Sequence, residues 1–177
     1  MNLLVSLIVY NDIHKITEIG CGDFWIMRQV LDFLSKNNYS YNYDGIDVVD
    51  DLIEYNKNRF GSENIKFQCM DAADISTSLP EGDLIIIRQV LQHLCNSDIK
   101  EILNKTKTFK FVFVTEHIYE GNSVVYNIEN PGSGDIRLSH RSGVYLEHLP
   151  YNYKNIVHLL KIPQYGGIIR SSLIINS

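Results

Sequence analysis

The run Asp83-Leu84-Ile85-Ile86-Ile87 narrows most what this chain can become. Its apolar residues are consecutive, with no polar alternation. That suits a strand buried on both faces, which is the situation of a strand in a parallel sheet covered by helices on either side. The surrounding sequence alternates as such a sheet requires. Residues 16–19, 41–47, 65–69 and 109–115 read as further strands. Between them, residues 24–34 place Ile26, Val30, Leu31 and Leu34 near one helical face. Residues 50–59 read as a helix with Asp50 and Asp51 at its positive end. Asn96 or Ser97 is expected to cap a helix running to about Lys105. Repeated β-α units predict right-handed crossovers.

The last third departs from that rhythm. Residues 116–153 hold glycines, two prolines and polar residues with no long period, and inserts of that length are usually functional or disordered. Two β-rich runs, 156–162 and 168–175, flank Pro163-Gln164-Tyr165-Gly166-Gly167 and predict a hairpin. At the other end, the apolar run 3–10 is a first helix or strand packed on the core. It is too short to span a bilayer. It has neither a basic leader nor a small-residue cleavage site, so no signal peptide is expected.

Length and charge bound the function. The 177 residues suit one domain. The net charge is -5, with no basic block, which argues against a protein that grips nucleic acid through phosphates. A small anionic ligand held by one or two arginines remains compatible. Cys21, Cys69 and Cys95 form no CxxC pair or Cys/His ligand spacing, so neither a metal site nor a disulfide framework is expected. A cytoplasmic location fits that cysteine usage.

The first strand runs into Gly20-Cys21-Gly22 and then a helix, the layout of a nucleotide-binding loop, where glycines let backbone approach a ligand. A dinucleotide fingerprint needs a third glycine three residues on, and that position is Trp25. There is no Walker lysine. The loop therefore fits a ligand without phosphates better than NAD or ATP. Asp47 ends the second strand, 25 residues after Gly22, where an acid can accept hydrogen bonds from ribose hydroxyls. Its alternative is to cap the next helix.

Together these segments resemble the class I, Rossmann-like S-adenosylmethionine-dependent methyltransferases. Ile16-Thr17-Glu18-Ile19-Gly20-Cys21-Gly22-Asp23 is similar to their first motif and Tyr43-Asp44-Gly45-Ile46-Asp47 to their second. Gln68-Cys69-Met70-Asp71-Ala72 resembles the segment where an acid reads the adenine amino group. Residues 83–94 resemble the strand-four motif beside the methionine part of the cofactor. The resemblance implies an α/β fold with a mostly parallel seven-stranded sheet, an antiparallel last strand and helices on both faces. It implies one methyltransferase domain over residues 1–177, with an irregular acceptor-site insert at about 117–153. S-adenosylmethionine would be the cofactor and S-adenosylhomocysteine the product. Glu18, Gly20, Cys21 and Gly22 would shape the methionine pocket, and Asp47 with Val48 would hold the ribose. Asp71 with Ala72 would hold the adenine, and Arg88 with Gln89 would border the carboxylate and sulfonium.

His117, just after strand five, is the candidate general base for an alcohol acceptor. Glu116 would orient its imidazole or pair with substrate. His93 is expected to be a structural histidine or to approach the acceptor. Residues 130–141, with the later step Pro150-Tyr151, resemble a stretch in small bacterial methyltransferases of surface-polysaccharide clusters. That likeness implies a sugar or nucleotide-activated glycan precursor as a small-molecule acceptor, with Arg137 or Arg141 pairing with its phosphate or carboxylate. Tyr151 would stack on a sugar or fill the core. The second hypothesis is a methyltransferase-like binding or partner subunit without catalysis.

Overall fold

The computed structural model describes residues 2–130 and 136–176. In chain order the elements are α1 (Asn2–Tyr10), β1 (Lys15–Ile19), α2 (Trp25–Lys36), β2 (Asn42–Asp47), α3 (Asp50–Phe60), β3 (Ile65–Cys69), β4 (Leu84–Arg88), α4 (Asn96–Lys105), β5 (Phe111–Ile118), β6 (Ile156–Gln164) and β7 (Gly167–Ile175). The strands make one seven-stranded sheet in the order β3-β2-β1-β4-β5-β7-β6. The first five run parallel, while β7 pairs antiparallel with both β5 and β6. The run at 83–87 becomes β4 at the middle of the sheet, and Leu84, Ile85, Ile86 and Ile87 are all fully buried.

Both faces are covered, as that burial demands. On one side α1, α2 and α3 pack through Leu7, Met27, Leu31, Leu34 and Ile53 onto Ile16, Leu84, Ile86 and Phe113. The buried positions of α2 recur three and four residues apart, which keeps them on one stripe. On the other side α4 packs through Ile99, Ile102 and Leu103 onto Ile85, Ile87 and Val114.

Some boundaries differ from the sequence reading for local reasons. Neither Asn96 nor Ser97 caps α4; Cys95 occupies that place without a side-chain hydrogen bond. The Asn96 side chain instead bonds the Asn127 carbonyl. The segment after β5 has little regular structure but is well packed. Asn127 accepts from the Tyr145 amide at 2.7 Å and donates to the carbonyls of Tyr145 and Leu149. Val144, Tyr145 and Leu146 are buried beneath it. Side-chain amides thus serve the backbone groups that a helix or strand would have served.

The order of strands fixes where a ligand can sit. After β1 the chain moves outward to β2 and β3, then returns to place β4 on the other side of β1. That reversal opens a crevice beyond the carboxyl ends of β1 and β4, where open α/β sheets bind ligands. Gly20 follows β1 and Gln89 follows β4.

Candidate functional site

A cavity of about 320 Å³ lies in that crevice, within the range of small-molecule sites. Of the expected cofactor residues, Gly20, Asp47, Val48, Asp71, Ala72, Arg88 and Gln89 line it, and so does His93. Apolar walls come from Ile19, Ile46, Met70, Val90, Leu94 and Ile102.

The glycine loop is shaped by its own hydrogen bonds. Gly20 and Gly22 both take positive φ, +70° and +52°, which glycine adopts without steric penalty. The amides of Gly20 and Cys21 both donate to the Ile46 carbonyl, at 2.8 and 3.0 Å. The Gly22 amide donates to Asp47 Oδ2 at 2.9 Å, and the Trp25 amide donates to Asp23 Oδ1. Phosphate-binding loops leave such amides pointing at the ligand, and here they are already engaged. The Trp25 ring is 60% exposed, and it is Phe24, 1% exposed, that fills the helix–sheet contact. A Cβ at Gly20 would collide with Val90 in the cavity wall, whereas nothing lies within 4 Å of one at Gly22.

Three expected cofactor residues do not line the cavity: Glu18, Cys21 and Gly22. Glu18 is fully buried beneath it. Arg88 Nε and Nη2 both donate to Glu18 Oε1, at 2.9 and 2.6 Å, and the Tyr43 hydroxyl donates to Oε2. Burial raises the Glu18 pKa, and Arg88 and Tyr43 pull it back. Glu18 therefore acts on the cavity by fixing Arg88. Cys21 is buried, and desolvation pushes its thiol well up, so it is no nucleophile.

Asp47 sits at the cavity edge, holding the Gly22 amide with one oxygen and the Val49 amide with the other, at 3.1 Å. Each carboxylate oxygen keeps a further lone pair for a ligand hydroxyl. Asp71 Oδ1 accepts from the Ala73 amide at 2.8 Å. Two supports carried no recognisable sequence signal. Asn56 of α3 donates to the Gly22 carbonyl at 2.8 Å, so both sides of the Gly22 unit are held. Lys105 of α4 donates to the carbonyls of Ala72 and Asp74, pinning the loop after β3. Only their place on a helix facing the loop reveals them.

His117 lies one strand over. The Gln89 amide donates to the Thr115 carbonyl at 2.7 Å, and the His117 amide donates to Gln92 Oε1 at 2.8 Å. The His117 side chain does not border the donor cavity. Its Nε2 is buried without a hydrogen-bond partner, and burial lowers its pKa. It is therefore neutral at neutral pH and able to accept a proton.

Glu116 does not orient His117. Adjacent residues on a strand face opposite sides of the sheet, and both Glu116 oxygens are taken, by the amides of Leu91 and Gln92 at 3.0 Å each. Burial pushes its acid up to about 8, opposed by those amides and by Arg137. Nor is Arg137 presented to an acceptor. It is 3% exposed, and its guanidinium donates to the carbonyls of Ile128, Gln92 and Leu94. Tyr151 borders a different groove and donates to Asn96 Oδ1 at 2.7 Å. Arg141 is exposed in a left-handed conformation. Of the stretch 130–141, residues 131–135 lie outside the described residues. Among the described residues no cluster of His, Cys, Asp and Glu could hold a metal ion, and no helix is long and apolar enough to cross a membrane.

Comparison with known proteins agrees with the fold. Curated protein sequences give no match. Solved structures share the fold at low identity. The N-methyltransferase NodS from Bradyrhizobium japonicum WM9 superposes with a TM-score of 0.64 at 15% identity, covering 98% of this chain and 91% of that one. The methyltransferase domain of bacterial CtHen1 gives 0.62 at 15%, covering 98% and 96%. Human N-acetylserotonin methyltransferase, solved in complex with SAM, gives 0.62 at 15% and covers 93% of this chain. The chain spans about half of that protein, 48%. Residues 16–109 match the family described as methyltransferase domain. The match takes in β1 to β4 and the whole cavity edge from Gly20 to Gln89, so the chain belongs to the methyltransferase domain family, with S-adenosylmethionine as its cofactor.

Proposed function

We propose that this protein transfers the methyl group of S-adenosylmethionine to an oxygen of a small, sugar-like or nucleotide-activated acceptor in the cytoplasm, with His117 as general base. The single observation that carries this reading is the bond from the Gln89 amide to the Thr115 carbonyl. It sets the donor-cavity residue Gln89 directly beside the strand end that bears His117.

The cofactor supplies an electrophilic methyl group on a sulfonium. Asp47, Asp71 and Arg88 all line the cavity; Asp47 would accept from the ribose hydroxyls and Asp71 from the adenine amino group, and Arg88 would hold the methionine carboxylate. Arg88 is held for that task by Glu18. The apolar walls exclude water, which strengthens these polar contacts. Methyl transfer is an in-line displacement, so alignment provides most of the acceleration. An alcohol also loses a proton, and neutral His117 Nε2 is the acceptor for it. That nitrogen is covered, so the acceptor must displace its cover to reach it. Exposed Arg141 remains the cation for a phosphate or carboxylate of the acceptor.

The test is methyl transfer from methyl-labelled S-adenosylmethionine to a panel of sugars and nucleotide sugars, with wild type and His117→Ala. The reading requires turnover to fall in the variant by about 10²-fold or more, with S-adenosylhomocysteine affinity unchanged. Equal turnover removes His117 from the mechanism. Transfer to amines but not hydroxyls overturns the oxygen acceptor.

A further inference from the structure

The turn between β4 and α4 forms one wall of the donor cavity through Gln89, Val90, His93 and Leu94. It is not a regular element. Gln89 takes a φ of +56°, a region that residues with a Cβ rarely adopt. A single 3-10 turn, Leu91–His93, follows. Such a segment holds its shape only when its surroundings over-determine it.

Two buried side chains from elsewhere in the chain do this. Glu116, from β5, takes the donors: its two oxygens accept from the amides of Leu91 and Gln92 at 3.0 Å each. Arg137, from the segment after β5, takes the acceptors: it donates to the carbonyls of Gln92 at 3.0 Å and Leu94 at 2.6 Å. The same guanidinium donates to the Ile128 carbonyl at 2.7 Å, tying the turn to its own segment. Asn130 adds a bond to the Gln92 carbonyl at 3.1 Å. The Gln92 side chain then accepts from the His117 amide.

We infer that Glu116 and Arg137 are a positioning pair that holds the post-β4 turn in its donor-binding shape and couples the segment after β5 to the donor cavity. This rests on the donor-site reading given above. Neither side chain lines the cavity, so both act through the turn. Thermodynamic coupling is reciprocal. A donor that selects the clamped turn must also strengthen the hold of Arg137, and so stabilise the segment that bears it.

Hydrogen exchange on the wild-type protein tests this, with and without saturating S-adenosylhomocysteine. The expected result is that amides of residues 137–146, which do not line the cavity, exchange about fivefold or more slowly with ligand bound. Unchanged exchange there, with the ligand demonstrably bound, overturns the inference while leaving the donor site intact. No binding by wild type overturns the donor-site reading and this inference with it.

Substitution gives a second, independent arm. In Glu116→Gln the side-chain nitrogen cannot accept, so one of the two amides loses its partner. In Arg137→Lys the fork that reaches the carbonyls of Ile128, Leu91, Gln92 and Leu94 is lost while the charge stays. Each is expected to weaken S-adenosylhomocysteine binding by about tenfold or more. Leu34→Ala, a cavity mutant on the far face of the sheet, controls for lost stability and should stay within about twofold. Wild-type affinity in a folded Glu116→Gln or Arg137→Lys protein overturns the inference. Should either fail to fold, the wild-type exchange result decides.

Discussion

Alanine at Gly20 probes the donor cavity more sharply than any charge reversal, because the structure supplies its own control at Gly22. Both glycines are left-handed, at φ +70° and +52°, so an alanine at either position carries a backbone penalty of about 1–2 kcal/mol. Only at Gly20 does the new methyl meet an obstacle, the Val90 side chain in the cavity wall. Overpacking of that kind adds about 1–3 kcal/mol. Gly20→Ala should therefore destabilise the protein by about 2–5 kcal/mol and Gly22→Ala by about 1–2 kcal/mol. At roughly 3 °C per kcal/mol for a chain of this length, the melting temperature drops by about 6–15 °C and about 3–6 °C respectively. Because Val90 has to move, Gly20→Ala should also weaken S-adenosylhomocysteine binding by about tenfold or more. The assays are a thermal melt followed by circular dichroism and calorimetric titration of ligand. Equal melting temperatures, or wild-type affinity in Gly20→Ala, would refute the claim that Gly20 and Val90 jointly set the cavity wall.

Other outcomes follow from single contacts. Arg88→Met leaves Glu18 buried without its cation, a loss of about 3–5 kcal/mol. Because burial raises the Glu18 pKa and removing Arg88 raises it further, the deficit should shrink as pH falls and the acid protonates, which chemical denaturation at several pH values will measure. Burial lowers the His117 pKa, so the folded protein binds fewer protons there than the unfolded chain. The stability tied to that group is present above about pH 6.5 and is lost as pH falls through the folded value. For a base in that state, kcat/KM against pH should show an acid limb with its midpoint below 6.5, and His117→Asn should abolish the limb. Lys105→Met should free the loop after β3 and raise the S-adenosylhomocysteine dissociation constant without altering His117-dependent turnover at saturation.

The sheet was legible because its centre is chemically uniform. Ile85, Ile86 and Ile87 can be buried on both faces only in a parallel sheet with helices on either side, and the glycine turn after β1 marks the end where a ligand enters. Gly20, Asp47, Asp71 and Arg88 were readable for a related reason: they sit at strand ends, where sequence order and spatial order coincide. The remainder depends on long-range pairing that no local pattern encodes. Arg137 looked like a cation for a phosphate, since nothing near it in sequence shows that four carbonyls surround it. Glu116 looked like a partner for His117, but strand alternation sends its carboxylate to the amides of Leu91 and Gln92. Asn56 and Lys105 read as ordinary helix residues, and only the packing of α3 and α4 against the loops gives them their partners. Trp25 does not fill the helix–sheet contact that a third loop glycine would occupy; its neighbour Phe24 does, and no spacing rule shows which of the two turns inward.

The crevice between Gly20 and Gln89 is the proposed seat of S-adenosylmethionine. Calorimetric titration with S-adenosylhomocysteine, run on wild type and on Asp47→Ala, tests it most directly. Wild type is expected to bind saturably at one site, and the affinity to fall about tenfold or more when the Asp47 carboxylate is removed. No heat of binding at millimolar ligand, or equal affinity in the two proteins, would contradict it.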